Sequence, residues 1–289
     1  MDASKGAGEK SKRRPARAGR AQAKRPLALF VNSLAKGFRV LDAFEAKRPN
    51  LSLGEIAEAS GLDKSAAQRF AYTLEALGYL RKDPESRRYS LSPKVLELGY
   101  RYLRADSLVA RATPFLAEAN KRCEETVNLT ELDGSEVVYV ARFPSWHAVS
   151  VDVVLGTRLP AFCTAPGRAM LAFLPEARAR DIILHAERPA LTERTVTDPD
   201  ALMAELARVR RQGWSLADQE TFVGDVSTAA PVLDITGQVV AAVNIAVPAA
   251  RWSAARVRRE LTPLVVETAA QISQVQGSRR DEAAGAHLG

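Results

Sequence analysis

Residues 51–91, LSLGEIAEASGLDKSAAQRFAYTLEALGYLRKDPESRRYSL, constrain this chain more than any other stretch, because two hydrophobic periods follow one another within them. Over 52–59 the apolar residues Leu53, Ile56 and Ala57 recur at helical spacing, and Ser52 with Glu55 three residues on forms a capping box. Gly61 marks a reversal, since glycine enters left-handed backbone conformations without a Cβ penalty, and Leu62 is placed to fill the space between two helices. A second helix follows, capped by Asp63 or Ser65, with Ala67, Phe70, Ala71, Leu74 and Leu77 as its apolar stripe. The period then falls to that of a strand: Tyr79-Leu80-Arg81 and Tyr89-Ser90-Leu91 flank the turn-rich tip Lys82-Asp83-Pro84-Glu85-Ser86-Arg87-Arg88. Two short helices across a tight turn and a hairpin outline a winged helix-turn-helix.

The second helix leaves Lys64, Ser65, Gln68, Arg69 and Tyr72 on its other face, in its N-terminal half, where a recognition helix carries its contacts. Arg and Gln present forked donors to base edges, while Ser, Tyr and Lys reach phosphates. A polar face on an isolated helix is most often only solvated. The neighbouring basic tip shifts the balance, because Arg87 and Arg88 would make it a wing that contacts phosphate.

A chain of 289 residues is too long for one such module and divides into about two domains. No run of about 18 apolar residues is present to span a membrane, so a soluble, cytoplasmic protein with no membrane partner is expected. The formal charge of +7 is concentrated in residues 1–31, which carry nine basic groups against two acids and leave the remainder neutral. Such a segment is expected to be disordered and, beside a DNA-binding domain, to add salt-dependent phosphate contacts. A solubilising extension and an organelle transit peptide are the alternatives. Ahead of the helix pair, Leu34, Phe38, Leu41 and Phe44 at helical spacing indicate a packing helix capped by Asn32 or Ser33. After the wing, Ser92-Pro93 opens a helix over 94–104 too apolar to be a solvated linker, and a second copy of the chain is the simplest cover for it. The expected divisions are 1–31 (tail), 32–92 (winged helix), 93–106 (linker helix), 107–276 (second domain) and 277–289 (disordered tail).

From residue 107 the pattern changes. A helix over 114–124, strands over 126–131, 137–143 and 149–155, a turn over 156–160, helices over 164–174, 176–184 and 199–212, strands over 214–217, 226–233 and 239–247, and a closing helix over 253–275 are expected. The whole reads as an α+β domain with a mainly antiparallel sheet.

The segments SLAKGFRVLDAF, GYL…RRYSLSPKVLELG, VVYVARFPS, GTRLPAFCTAPGRAMLAFL, GWSLADQE and VSTAAPVLDITGQVVAAVNIAVPAARWS, in this order and spacing, resemble the IclR family of bacterial transcriptional regulators over residues 32–275. The resemblance implies a winged helix, a linker helix and a GAF-like effector-binding domain, assembled as a homodimer or dimer of dimers on a palindromic double-stranded operator. It also implies a small organic acid effector in a pocket at the edge of the C-terminal sheet. Carried over by position, the pocket residues are Ala148, Val149 and Val151 on one strand, Thr164, Ala165 and Gly167 at a helix start, Asp218 in a following loop, and Ser227 and Asn244 on later strands. Independently of the family, unpaired amides in the first turn at 164–167 favour an anion, although Thr164 also reads as a plain helix cap. PAFCTAPGRAMLAFL and SLAKGFRVLDAF lie nearest the branch that governs aromatic-acid and β-ketoadipate catabolism, so an aromatic acid heads the effector candidates. In Gly224-Asp225-Val226-Ser227, however, Val226 stands where that branch tends to have arginine, and losing a fixed cation changes which anion is held.

Catalysis finds little support. His147, His185 and His287 are not spaced with Cys123 and Cys163 as metal ligands, no phosphate-binding glycine motif occurs, and no cofactor is expected. Cys163 at a helix N-terminus with His147 as base could make a nucleophile, but a small buried thiol is the simpler reading. The leading expectation is a ligand-responsive DNA-binding regulator of a catabolic operon. The alternative is a small-molecule-binding or catalytic protein whose winged helix serves protein contacts.

Overall fold

The computed structural model describes residues 29–105, 107–147 and 153–285. In the N-terminal domain, α1 (Asn32–Leu41), α2 (Leu53–Ser60) and α3 (Lys64–Ala76) close over Val40, Leu51, Ile56, Ala67 and Ala71, all fully buried. Both halves of the capping box at α2 form: the Glu55 amide donates to Ser52 Oγ at 3.3 Å, and the Ser52 amide donates to the Glu55 carboxylate at 2.8 Å. Gly61, at φ 64°, ends α2 in the left-handed region. Asp63, rather than Ser65, caps α3 by accepting from the Ala66 amide at 2.8 Å. Strands β2 (Leu80–Lys82) and β3 (Tyr89–Leu91) form the expected hairpin. A third strand, β1 (Asn50–Leu51), too short to carry a sequence signal, pairs with β3 and gives the order β1-β3-β2.

Three local expectations are corrected in this domain. Helix α1 is entered from Val31 with no side-chain cap, so Asn32 and Ser33 lie inside the helix. Its Leu34 and Phe38 stay 61% and 51% exposed, because Val40, Ala43 and Phe44 supply the face turned to α2 and α3. Leu77 follows the last residue of α3 and is exposed, since the chain leaves the helix axis at Gly78 (φ 81°).

A 3₁₀ turn, Pro93–Val95, capped by Ser92, leads into the linker helix α4 (Leu96–Ala105), which has no buried residue. Its Tyr102 hydroxyl donates to the Glu131 carboxylate at 2.5 Å, tying the linker to the second domain. Helix α5 (Ser107–Cys123) begins well before the expected start at 114, and Pro114 sits inside the helix.

The second domain is three-layered. Strands β4 (Thr126–Asp133), β5 (Glu136–Phe143), β6 (Arg158–Pro160), β7 (Ser215–Asp218), β8 (Asp225–Leu233) and β9 (Val239–Pro248) form an antiparallel sheet in the order β6-β5-β4-β9-β8-β7. Helices α5, α9 (Ala254–Glu260) and α10 (Thr262–Gly285) cover one face over Val127, Leu129, Val232, Val243 and Ile245. Helices α6 (Ala165–Phe173), α7 (Glu176–His185) and α8 (Pro199–Gln212) cover the other over Val137, Ala229 and Ala242. The α+β class and the antiparallel sheet are those indicated by the sequence.

The strand expected over 149–155 is not found in its described part: residues 153–155 carry no strand, and 148–152 lie outside the described residues. The turn expected over 156–160 is confined to its start at Gly156 (φ 80°), and Arg158–Pro160 forms β6. The closing helix is broken at Leu261, where the Thr262 hydroxyl meets that of Thr228 at 2.9 Å, and α10 continues to Gly285, past the expected end at 275. The basic tail lies outside the described residues except for 29–31.

Candidate functional site

Two features of this fold carry chemistry. The first is the outer face of α3. Ala67, Ala71 and Leu74 bury its inner side, and Lys64, Ser65, Gln68, Arg69 and Tyr72 all emerge exposed on the opposite side. The Asp63 cap keeps the first turn ordered, so Lys64 and Ser65 are held where the helix begins. At the wing, Asp83 accepts from the Ser86 amide at 2.7 Å and from its hydroxyl at 2.6 Å, and these bonds hold its carboxyl below the usual range. Arg87 sits at φ 59° and is exposed at the tip. Arg88 turns the other way: its guanidinium donates to the Glu55 carboxylate at 2.6 Å and to the Asn50 carbonyl at 3.1 Å. The two arginines that looked equivalent in sequence are thus placed in different environments.

The second feature is a cleft between the N-terminus of α6 and the end of the central strands. Thr164, Ala165, Ser227 and Asn244 line it. Gly167 does not: a Cβ there would stand 2.2 Å from the Ala161 carbonyl oxygen, so the position is filled by backbone. Asp218 lies off the cleft, with its carboxylate 2.6 Å from Arg194. Ala148, Val149 and Val151 lie outside the described residues.

The first turn of α6 is less open to an anion than the sequence suggested. The Gly167 amide donates to Thr164 Oγ1 at 3.2 Å, the Arg168 amide donates to the Thr164 carbonyl at 3.0 Å, and Pro166 has no amide hydrogen. Among the described residues, the Ala165 amide is left for a ligand. Beneath this turn Arg168 is buried, pairing in bidentate fashion with Glu220 at 2.5 and 2.6 Å and donating to the Phe162 carbonyl at 2.8 Å. Glu220 also accepts from the Val196 amide at 3.3 Å. This pair fixes the loop whose Glu220, Thr221 and Phe222 wall the cleft.

The sequence named Ser227 and Asn244 of the polar floor but not Asn128, Arg142 or Asp225. Antiparallel register sets Arg142, Asn128 and Asn244 in one row across β5, β4 and β9, with Arg142 donating to Asn128 Oδ1 at 3.4 Å. Ser227 and Asp225 extend the floor on β8. The signal was present in TVNLT, where Thr126, Asn128 and Thr130 alternate with Val127 and Leu129; all five are buried, so the polar side faces the other helical layer rather than water. Burial raises Tyr139 above the ordinary phenol value and pushes Asp225 up to about 7.

Cys163 is fully buried, its thiol donates weakly to the Pro160 carbonyl at 3.8 Å, and burial pushes it up to about 11, the environment of an inert thiol rather than a nucleophile. Among the described residues no group of three or more His, Cys, Asp or Glu is arranged to hold a metal, and no helix is long and apolar enough to cross a membrane.

Comparison with known proteins places both features in a family context. Residues 33–84 match the IclR helix-turn-helix domain, and residues 100–274 match the bacterial transcriptional regulator IclR C-terminal domain. The chain is 36% identical over 238 residues to the Pca regulon regulatory protein of Pseudomonas putida, covering 82% of this chain and 81% of that protein. Among solved structures, a transcriptional regulator from Rhodococcus sp. RHA1 superposes with a TM-score of 0.75 at 39% identity, over 85% of this chain and 98% of that one. An IclR homologue from Microbacterium hydrocarbonoxydans, complexed with 4-hydroxybenzoate, superposes with a TM-score of 0.72 at 26% identity, over 84% of this chain and 98% of that one.

Proposed function

We propose, from the premise that this chain belongs to the IclR family of bacterial transcriptional regulators, that it controls a catabolic operon in response to a small organic acid, with aromatic acids the leading candidates. Members of the family regulate transcription and are not enzymes, so the chain works by binding DNA and a ligand rather than by turnover. The observation that carries the reading is the presence in one chain of an exposed, donor-rich helix face and a cleft with a cation at one end of its polar floor.

On the DNA side, Gln68 and Arg69 read base edges in the major groove, Lys64, Ser65 and Tyr72 grip phosphates, and Arg87 reaches the backbone from the wing. Arg88 serves the wing by holding it against α2. On the effector side, Thr164, Ala165, Ser227 and Asn244 contact the ligand, joined by Ala148, Val149 and Val151. Gly167 shapes the wall, and Asp218 braces the adjoining loop. The identity of the Pca regulon relative and the 4-hydroxybenzoate held by the Microbacterium homologue support an aromatic carboxylate.

Effector binding changes output by shifting a dimer between geometries that do or do not match two half-sites of a palindromic operator. The exposed Leu34 and Phe38 of α1 and Leu96, Leu98 and Tyr100 of α4 support a homodimer, or a dimer of dimers, that buries them. A regulator of this kind acts in the cytoplasm, where the chromosome lies. The test is selection from a random duplex library followed by competition with and without 4-hydroxybenzoate and benzoate. A paired-half-site consensus whose affinity an acid alters supports the reading; no enrichment over random DNA refutes it.

A further inference from the structure

Resting on the reading of the cleft as an effector site, we propose that Asp225 and Asn244 are two separate acceptors that select acids carrying hydroxyl or amino donors over plain carboxylic acids. Among the described residues Oδ1 of each is buried and has no hydrogen-bond partner, and both residues line the cleft. Asn244 is 1% exposed, and its amide nitrogen is already committed to Ser227 Oγ at 3.1 Å, which fixes the amide plane and leaves Oδ1 as its unused group. Native proteins rarely leave two buried acceptors unmet in one cavity; a ligand donor is the economical way to satisfy them. The high proton affinity of Asp225 agrees, since burial raises it with no donor to oppose the shift.

The layout orients the ligand. The row from Arg142 through Asn128 to Asn244 begins with a cation and ends with an acceptor, and Asp225 stands off the row on β8, opposite Pro248 and four residues along the strand from Ala229, the partner of Asn244. A carboxylate directed to Arg142 sends the opposite end of a small molecule towards Asp225 and Asn244, and Val153, Leu159 and Phe222 offer apolar walls to what lies between. Each acceptor requires its own proton. A hydroxyl or an amino group on the ligand meets one of them.

Isothermal titration of the full-length protein at pH 8 with 3,4-dihydroxybenzoate, 4-hydroxybenzoate, 4-aminobenzoate, benzoate and 4-methoxybenzoate tests this directly. The donor-bearing acids are expected to bind more tightly than benzoate and 4-methoxybenzoate by about tenfold or more, because only they pair the buried acceptors. In Asp225→Asn the gap between 4-hydroxybenzoate and 4-methoxybenzoate should close to within about threefold, since the new amide offers a donor to the ether. The wild-type series stands without the variant, so a failure of Asp225→Asn to fold does not remove the test. Equal binding of benzoate and the hydroxylated acids overturns the selectivity while leaving the effector site intact. Binding of none of the five overturns the effector reading and this inference with it.

Discussion

Arg88 of the wing and Glu55 of α2 form an ion pair of 2.6 Å, and the same glutamate closes the capping box with Ser52. One carboxylate thus starts the first helix of the helix-turn-helix and holds the hairpin against it. The Ser52 hydrogen bonds, followed by the nearby Arg88 charge, keep Glu55 below its ordinary value.

This division of labour separates the two wing arginines experimentally. Arg87→Ala should weaken binding to all duplexes alike and lower the salt slope of the binding constant by about one phosphate contact. Arg88→Ala should act through wing position, so its effect on DNA affinity should not add to that of Glu55→Ala, which removes the same ion pair and the capping box with it. Fluorescence anisotropy over a salt series with the two single variants and the Arg88/Glu55 double variant reads both. Additive losses would show that Arg88 contacts DNA on its own account.

The Arg168–Glu220 pair, buried on both sides, connects the first turn of α6 to the wall of the cleft. Breaking it by Glu220→Gln or Arg168→Met should cost about 3–5 kcal/mol in urea unfolding, because one charge is left buried and unpaired. Replacing both residues with apolar ones should recover a large part of that loss. A single substitution costing no more than an exposed pair would mean that water reaches the site.

Gly167 faces a different constraint. A Cβ at this position would lie 2.2 Å from the Ala161 carbonyl oxygen and 2.4 Å from the Ala161 Cα, and both are backbone atoms with little room to shift. Gly167→Ala should therefore destabilise by roughly 1–3 kcal/mol or more, as overpacking does, despite the better helix propensity of alanine. Thermal unfolding of the variant at neutral pH decides the matter, and an unchanged midpoint would mean that the 161–163 turn can move.

The elements legible in sequence were those whose signal is local. Ser52 with Glu55, Gly61 and the 3.6-residue stripes located α2 and α3, and TAPGRAMLAFL located α6, because capping and periodicity act within a few residues. What escaped depends on distant partners. Arg88, a candidate phosphate ligand in sequence, is found paired with Glu55 and the Asn50 carbonyl, and Asn128, Arg142 and Asp225 are brought to one cleft only by the fold. Pro114 misled for the converse reason: a proline inside a helix cannot be told from one at its start when flanking residues suit both. Leu34 and Phe38 formed a true stripe, but periodicity does not say which partner a stripe faces.

Asp225 provides a prediction whose sign follows from its burial. Its folded value, about 7, lies above the ordinary 3.8, so the folded chain holds this proton more tightly than the unfolded one. For an acid shifted upward, stability falls as pH rises through that window: the contribution is fully present below the unfolded value and lost on passing the folded one. Asp225→Asn replaces the carboxyl with a neutral group of the same shape and removes the dependence. Its unfolding midpoint should lie close to wild type at pH 4 and above it at pH 8, with the gap opening between them. Scanning calorimetry across that range measures the difference. A donor-bearing acid in saturating amount should narrow the gap by stabilising the ionised wild-type side chain, whereas benzoate should raise both proteins alike. A variant less stable than wild type at pH 8 would show that the carboxylate already has donors in the empty cleft, and would remove the reason for assigning it to the ligand.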